Sequence, residues 1–416
     1  MLAMHPSHVE AQSPAAPLTQ PILQFGTSRF LQAHVDLFVS EALESGQPGA
    51  APGGITVVQT TESADSAARI AALANGGGYP VHILGLHSGR LIDVTVTGRA
   101  IRQAVHVRKD WARLREAISG PVRIIVSNTG DQGYQLDERD NARVFADPSG
   151  VPHSFPARLL SLLHTRWQNQ PDAPLSLFPC ELIEKNGEVL RGIAVELALQ
   201  WHMPDDFIRY LGDHCVWANS LVDRIVSEPI RPVGAIAEPY ALWAIEQQPR
   251  LQVPCVHPSI VLTENLLHFE RRKLFLLNLG HTFLAERWLR DARAADETVC
   301  AAMNDAALRA ELETVWQQEV LPVFDLLGEG DDALAYVAQV RERLLNPFLA
   351  HRLADIAQNH AQKKQRRIAP LRALTASLTR AKGKIIDQSL LTEMMAGDIW
   401  HNGAATLQRG SGEIGR

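Results

Sequence analysis

The stretch from 259 to 321 contains no proline, and within it lies the feature that most restricts what this chain can fold into. Leu262, Leu266, Leu267, Phe269, Leu284 and Trp288 recur there at three- and four-residue steps, the spacing of a long, mostly buried helix. A helix is expected over 262–293. At about 100° per residue, Glu270, His281 and Asn278 lie roughly 60°, 80° and 140° round from Lys273, so four polar side chains share one side of an otherwise apolar helix. Gly280 sits about 20° from Lys273 on the other side, where a missing side chain leaves room for a close approach. Burial penalises an ammonium, so a desolvated Lys273 is pushed toward neutrality and becomes a usable proton acceptor. Asn278 and His281 can offer N–H donors to an oxygen held above it. A base for a hydroxyl proton, with donors for an oxygen passing from alkoxide to carbonyl, is what alcohol oxidation without a metal requires. Arg271 and Arg272 are charged as well, and a helix with one face turned to water is the competing reading.

Composition excludes several classes. The 416 residues are 46% hydrophobic and 21% charged, a globular composition with length for two domains. A net charge of −6 and a pI near 6.2 give no electrostatic footprint for nucleic acid. The dense basic run Lys363-Lys364-Gln365-Arg366-Arg367 is too short to change that, and reads as a solvated or a substrate-facing patch. Cys180, Cys215, Cys255 and Cys300 never form Cys-x2-Cys, so no metal is expected and reduced thiols in a cytoplasmic protein are the reading. Residues 1–20 lack the basic start and apolar core of a signal peptide and read as a flexible lead. The glycine-rich residues 403–416 read as a flexible tail. No run approaches the roughly 18 apolar residues of a membrane span. A monomer and a small homo-oligomer both remain open.

The first expected strand, Ile22 to Phe25, runs into Gly26-Thr27-Ser28-Arg29-Phe30 and then an apolar helix from Leu31 to Leu43. Strand, glycine turn and helix open a dinucleotide-binding βαβ unit, with the pyrophosphate at the helix N-terminus, although one glycine is a weak fingerprint. Phe25, Gly26, Thr27, Ser28 and Phe30 are the cofactor-binding candidates there. The second strand, 54–61, ends near Glu62. A carboxylate at that point would bind the ribose hydroxyls and favour NAD, the preferred cofactor, while Arg69 on the following helix leaves NADP open. A β-hairpin over 81–86 and 90–97 is expected as an insertion in the sheet. Residues 122–127 read as a central strand ending in Asn128-Thr129-Gly130. Loops at the carboxyl ends of such strands hold ligands, so Asn128 and Thr129 are candidates for nicotinamide-ribose contacts, with a plain turn as the alternative.

Lys273-x4-Asn278-x2-His281 resembles the signature of the polyol-specific long-chain dehydrogenases, the mannitol dehydrogenase family. The resemblance implies that Lys273 is the general base, that Asn278 and His281 hold the reacting oxygen, and that Glu270 serves proton exchange with solvent. The family's first glycine turn is kept at Gly26, Phe30, Ala33 and His34, with Ser28 and Gln32 replacing a glycine and an arginine. Pro179-Cys180-Glu181-Leu182-Ile183-Glu184-Lys185-Asn186-Gly187 and Asn219 to Val226 resemble the uronate-reductase branch, which interconverts altronate- and tagaturonate-type sugar acids. Leu182 stands where mannitol-type members carry an oxyanion-site asparagine.

The resemblance implies an α/β N-terminal Rossmann-like domain over 21–214, a mostly α-helical C-terminal domain over 215–402, and an active site between them. The expected reaction moves hydride between NAD and a secondary alcohol carbon of an aldonate. A neutral polyol of mannitol or arabinitol type is the alternative substrate, and a nucleotide-binding sensor without turnover is the reading from another class. Asn186, Asp223, Arg224, Lys363, Lys364, Arg366 and Arg367 are the candidates for substrate contacts. The late basic run is the expected seat of a carboxylate, because Lys273 must be neutral to act as base. Asp223 and Arg224 could instead form a structural ion pair. Further helices are expected over 298–326, 331–345, 347–361 and 367–379, the third of these opened by Asn346-Pro347, with short strands around 240–245 and 257–262.

Overall fold

Unbroken aliphatic and β-branched runs dominate the first half of the chain, and they form strands buried on both faces. The computed structural model describes residues 16–396 apart from positions 131 and 148. The strands are β1 (Ile22–Phe25), β2 (Ile55–Gln59), β3 (Tyr79–His87), β4 (Arg90–Gly98), β5 (Ile101–His106), β6 (Ile124–Ser127), β7 (Leu175–Pro179), β8 (Cys215–Trp217), β9 (Ser220–Asp223), β10 (Val226–Pro229), β11 (Ala235–Ala237), β12 (Leu242–Glu246) and β13 (Ile260–Thr263). Six of them make a parallel sheet in the order β5-β2-β1-β6-β7-β8. Every residue of β1, β2, β6 and β7 is buried, as a parallel sheet covered by helices on both faces requires. The chain crosses from one side of β1 to the other between β2 and β6, which opens a crevice beyond the carboxyl ends of β1 and β6.

The hairpin β3–β4 does not enter this sheet, contrary to expectation. It joins β11 and β10 in a separate sheet of order β10-β11-β3-β4. The physical reason is its alternation: β3 buries every second residue, a pattern suited to a sheet with one wet face. A third sheet, β13-β12-β9, follows. Its outer strand β13 pairs with β12 and occupies the first residues of the helix expected from 262, so that helix starts at Leu266.

Beyond it the chain is helical, with the helices Gly330–Leu344, His360–Arg367 and Ala369–Lys382 among those described. The helix expected over 347–361 is not formed as one piece. Asn346 Nδ2 donates to the Leu84 carbonyl at 2.9 Å and its Oδ1 accepts from the Phe348 N–H at 3.0 Å, so the asparagine competes with the helix it was expected to open. The same contact pins the helical region to the hairpin.

Of the expected lead, residues 1–15 lie outside the described residues, as does the tail 403–416. Residues 16–20 are held in place: Leu18 is buried, and the Thr19 N–H donates to Gln103 Oε1 at 2.9 Å. No helix among the described residues is long and apolar enough to cross a membrane.

One buried acid has a consequence for stability. Asp36, on the helix Val35–Glu44, is fully buried beside Gln24 and Tyr79, and burial pushes its carboxyl up to about 7. Between roughly pH 4 and 7 the folded chain keeps a proton that the unfolded chain releases, so this group's contribution weakens as pH rises through that window. Asp36→Asn, which mimics the neutral acid, is expected to stabilise the protein by on the order of 2–4 kcal/mol at pH 8 and by little at pH 4. Thermal melts at the two pH values check this; a variant less stable than wild type at pH 8 contradicts it.

Candidate active site

The segment Leu266–Arg290 is a helix in three parts: α-helical to Arg272, π-helical over Lys273–Asn278, and α-helical from Leu279. Hydrogen bonds in a π-turn run between residues five apart. Lys273 and Asn278, which a regular α-helix would set about 140° apart, therefore stand one turn apart on the same face. Donors from elsewhere reinforce the wider turn. Trp316 Nε1 donates to the Leu276 carbonyl at 3.2 Å, and Arg367 Nη1 and Thr282 Oγ1 both donate to the Asn278 carbonyl at 3.0 Å. Gly280 leaves room for the Trp316 ring and not for a ligand: a Cβ there would lie 3.1 Å from the indole.

Lys273, Asn278 and His281 line one cavity of about 300 Å³, together with Asp223, Arg224, His351, Asp355, Lys363 and Arg367. Lys273 Nζ donates to the Val222 carbonyl at 2.8 Å and stands 3.6 Å from Asp223 Oδ1. Burial lowers the lysine's pKa, and the Asp223 carboxylate offsets part of that shift. Burial, with His351 and Arg367 nearby, holds the His281 imidazole neutral. Its Nε2 is buried without a protein partner among the described residues, a polar atom left for whatever enters the cavity. Glu270 does not line this space. It is half-buried near Glu184 and Glu246, and burial followed by those carboxylates raises its pKa.

Below the cavity lies a buried ionic network for which the sequence offers no motif. Arg343 Nη1 and Nη2 donate to the two Asp223 oxygens at 2.8 and 2.9 Å, while its Nε and Nη2 reach Glu238 at 2.8 to 3.1 Å. The Tyr336 hydroxyl adds a bond to Asp223 at 3.0 Å. The side chains of Asp223, Glu238 and Arg343 are 4%, 1% and 3% exposed. Arg343 holds the Asp223 carboxyl well below the usual range against the opposing effect of burial. One signal was available in the sequence: Arg343 falls on the apolar stripe Ala333, Tyr336, Val337, Val340 and Leu344, where an arginine needs a partner.

The placement of the remaining candidates is uneven. Asp223 and Arg224 do not pair with each other, because neighbours on extended chain point to opposite sides. Arg224 donates instead to the backbone carbonyls of Glu238 and Ala33, at 3.0 and 2.6 Å. In the basic run, Lys363 and Arg367, one helical turn apart, reach the cavity wall. Lys364 is buried and donates to Glu286 Oε2 at 2.9 Å and the Met394 carbonyl at 2.7 Å, and Arg366 is exposed on the opposite side. Asn186 is also away from the cavity. Its Nδ2 donates to the carbonyls of Pro179, Glu181 and Ser220 and its Oδ1 accepts from the Gly187 and Ser220 N–H groups, which ties β7 to β9.

At the sheet's crevice, Gly26 adopts φ +110°, and a Cβ on it would lie 2.5 Å from the Asn128 carbonyl oxygen. The loops after β1 and β6 therefore touch through bare backbone. Ser28 Oγ accepts from the Leu31 N–H at 3.2 Å and donates to Asn128 Oδ1 at 3.3 Å. The Thr27 hydroxyl donates to Gln59. Thr129 gives both its N–H and its hydroxyl to Glu181, at 3.0 and 2.9 Å. Phe25 packs inward on Phe155, and Phe30 stacks on the His34 ring at 4.8 Å. Glu62 is exposed and paired with Arg108 at 2.9 Å, three residues past the end of β2.

Residues 20–254 match the mannitol dehydrogenase Rossmann domain, and residues 265–400 match the mannitol dehydrogenase C-terminal domain. The chain belongs to the mannitol dehydrogenase family. An altronate oxidoreductase of Klebsiella pneumoniae is 30% identical over 382 residues, 86% of this chain and 75% of that protein. The altronate oxidoreductase of Yersinia enterocolitica is 29% identical over 373 residues, 84% and 74% of the two chains. Among solved structures, D-sorbitol dehydrogenase in substrate-free form superposes with a TM-score of 0.70 at 19% identity, over 87% of this chain and 81% of that one. Mannitol 2-dehydrogenase of Pseudomonas fluorescens, solved as a ternary complex with NAD and D-mannitol, gives 0.67 at 18% identity, over 86% and 75%. These structures share the two-part architecture of this family member, a Rossmann-like domain followed by a helical one.

In this mannitol dehydrogenase family chain the Arg343 network is expected to dominate local stability. Arg343→Met leaves Asp223 and Glu238 buried without their cation, a change that costs about 3–5 kcal/mol. Urea unfolding measures it, and a loss below about 1 kcal/mol would show that the network contributes little.

Proposed function

We propose that this protein is an NAD-dependent oxidoreductase that interconverts an aldonate and its keto acid, of the altronate and tagaturonate type. The observation that carries the reading is one cavity in which a desolvated lysine, an asparagine and a neutral histidine with a free Nε2 face two cations, Lys363 and Arg367. The altronate oxidoreductases among its relatives support the same substrate class. A neutral polyol would offer those two cations hydroxyl oxygens but no opposite charge.

The crevice beyond β1 and β6 fits a dinucleotide. Gly26, lacking a side chain, lets the loops after β1 and β6 meet, and Ser28 and Asn128 supply hydrogen-bonding groups at the crevice floor. NAD bound there would supply the hydride acceptor. Lys273, whose burial favours the uncharged amine, takes the proton of the substrate hydroxyl as the carbon–hydrogen bond yields its hydride. Asn278 and His281 Nε2 donate to the oxygen as it becomes a carbonyl, and so hold it where negative charge builds. Asp223, 3.6 Å away, favours the ammonium that Lys273 becomes. Glu270, one turn earlier with a raised pKa, returns that proton to solvent. The sum is one hydride to the cofactor and one proton to water. Lys363 and Arg367 bind the carboxylate at the far end of the substrate, each through a charge-assisted bond.

Lys273→Ala is expected to lower kcat/KM for aldonate oxidation by at least ~10²-fold, the scale of general-base loss, with NAD affinity by calorimetry within about threefold of wild type. A variant within a few-fold in kcat/KM would remove Lys273 from the role.

The basic run separates by position on the helix. Lys363→Met and Arg367→Met are each expected to raise KM for the aldonate about tenfold or more, equivalent to ~1.4 kcal/mol per decade. Arg366→Met should leave KM unchanged, and Lys364→Met should lower the melting temperature. Steady-state kinetics on the four variants decide this; an unchanged KM in both Lys363→Met and Arg367→Met, or wild-type preference for a neutral polyol, contradicts the aldonate reading.

A further inference from the structure

We infer that the crevice of this chain accepts a 2′-phosphorylated nicotinamide dinucleotide as well as the unphosphorylated one, with Arg69 receiving the phosphate. The inference rests on the dehydrogenase reading above and concerns only the adenosine end of the cofactor. In a βαβ crevice, a carboxylate at the end of the second strand grips the ribose hydroxyls, while an arginine nearby accommodates a 2′-phosphate. Here β2 ends in the neutral Gln59. Its amide is engaged locally, with Oε1 accepting from the Thr27 hydroxyl and Nε2 donating to Thr61 Oγ1 at 2.6 Å. The next acid along the chain, Glu62, is exposed and its charge is offset by Arg108 at 2.9 Å. Among the described residues, Glu62 and Asp65, the acids at this corner, are each paired with an arginine, Arg108 and Arg231.

Arg69 supplies the opposite charge. It lies on the helix Ala64–Ala74 that follows β2, and it turns back over the glycine turn, with Nη1 3.4 Å from Thr27 Oγ1. It is half-buried and has no carboxylate within ion-pair distance among the described residues. It lines a cavity of about 380 Å³ with Arg29, which follows Ser28 in the phosphate turn, and with Arg231. Arg231 is tied to Asp65 at 3.1 Å, so Arg69 and Arg29 are the cations at hand. A guanidinium presents paired donors that match the oxygens of a phosphate.

Calorimetric titration of the intact protein with NADP⁺ and with NAD⁺ tests this without turnover. Wild type is expected to bind NADP⁺ with a dissociation constant no more than tenfold above that for NAD⁺. Arg69→Gln should weaken NADP⁺ at least tenfold while NAD⁺ changes less than threefold, and Arg69→Lys should recover most of the lost NADP⁺ affinity. A wild-type NADP⁺ constant more than tenfold above that for NAD⁺ overturns the inference, as does an Arg69→Gln variant that weakens both dinucleotides alike or neither. Wild-type protein that binds neither dinucleotide would instead overturn the dehydrogenase reading itself, so the two failures are distinct.

Discussion

Arg343 sits between two carboxylates in a place almost closed to water, and Lys273, the proposed base, stands at the edge of that group. The arginine comes from the helix Gly330–Leu344, Asp223 from β9, and Glu238 from the residue after β11. Two neighbouring parts of the fold thus meet a guanidinium that lies 105 and 120 residues further along the chain. Its two-pronged bond to Asp223 keeps that carboxylate ionised in spite of burial. Asp223 then faces Lys273 at 3.6 Å, so burial and a fixed negative charge act on the lysine in opposite senses. Burial alone would make the lysine a poor proton acceptor, since its protonated form would have no counter-charge. The carboxylate alone would leave it an ordinary ammonium. For the proposed base the two act together: burial favours the uncharged amine, and the carboxylate favours the ammonium it would become.

The helix that carries Lys273 shows what a sequence pattern can and cannot reveal. Apolar residues at three- and four-residue steps mark a buried helix, and the spacing of Lys273, Asn278 and His281 marks the face that lines the cavity. Periodicity assumes a constant turn, however, and cannot register the local change to π-helix at Lys273–Asn278. That change is what brings the five-residue pair together. It is supported from outside by Trp316, whose indole fills the space over Gly280. The glycine that the pattern marks as an opening for a ligand is an opening for the side chain of Trp316.

Local strand and turn chemistry is readable from the sequence: Gly26 and the apolar runs of β1, β2 and β6 depend on near neighbours in the chain. Features fixed by tertiary partners are not. The basic run 363–367 could be seen as a cluster, but only the helix phase, set by packing of Lys364 against Glu286, separates Lys363 and Arg367 from Arg366. Asn186 sits in a motif of the family, yet its five bonds to main-chain groups make it a brace between β7 and β9. Arg343, Glu238, Tyr336 and His351 carry no motif. Their importance follows from which surfaces the fold brings together, and only Arg343, polar on an apolar stripe, left a trace in the sequence.

In the proposed mechanism, burial lowers the pKa of Lys273 while Asp223 keeps its protonated form accessible. The most direct test is the pH dependence of kcat/KM for aldonate oxidation, followed in wild type and in a Lys273 variant. Activity is expected to rise with pH through an apparent pKa well below the roughly 10.4 of a free lysine, with that limb absent from the variant. A limb at the free-lysine value, or one that persists when Lys273 is gone, would contradict this mechanism.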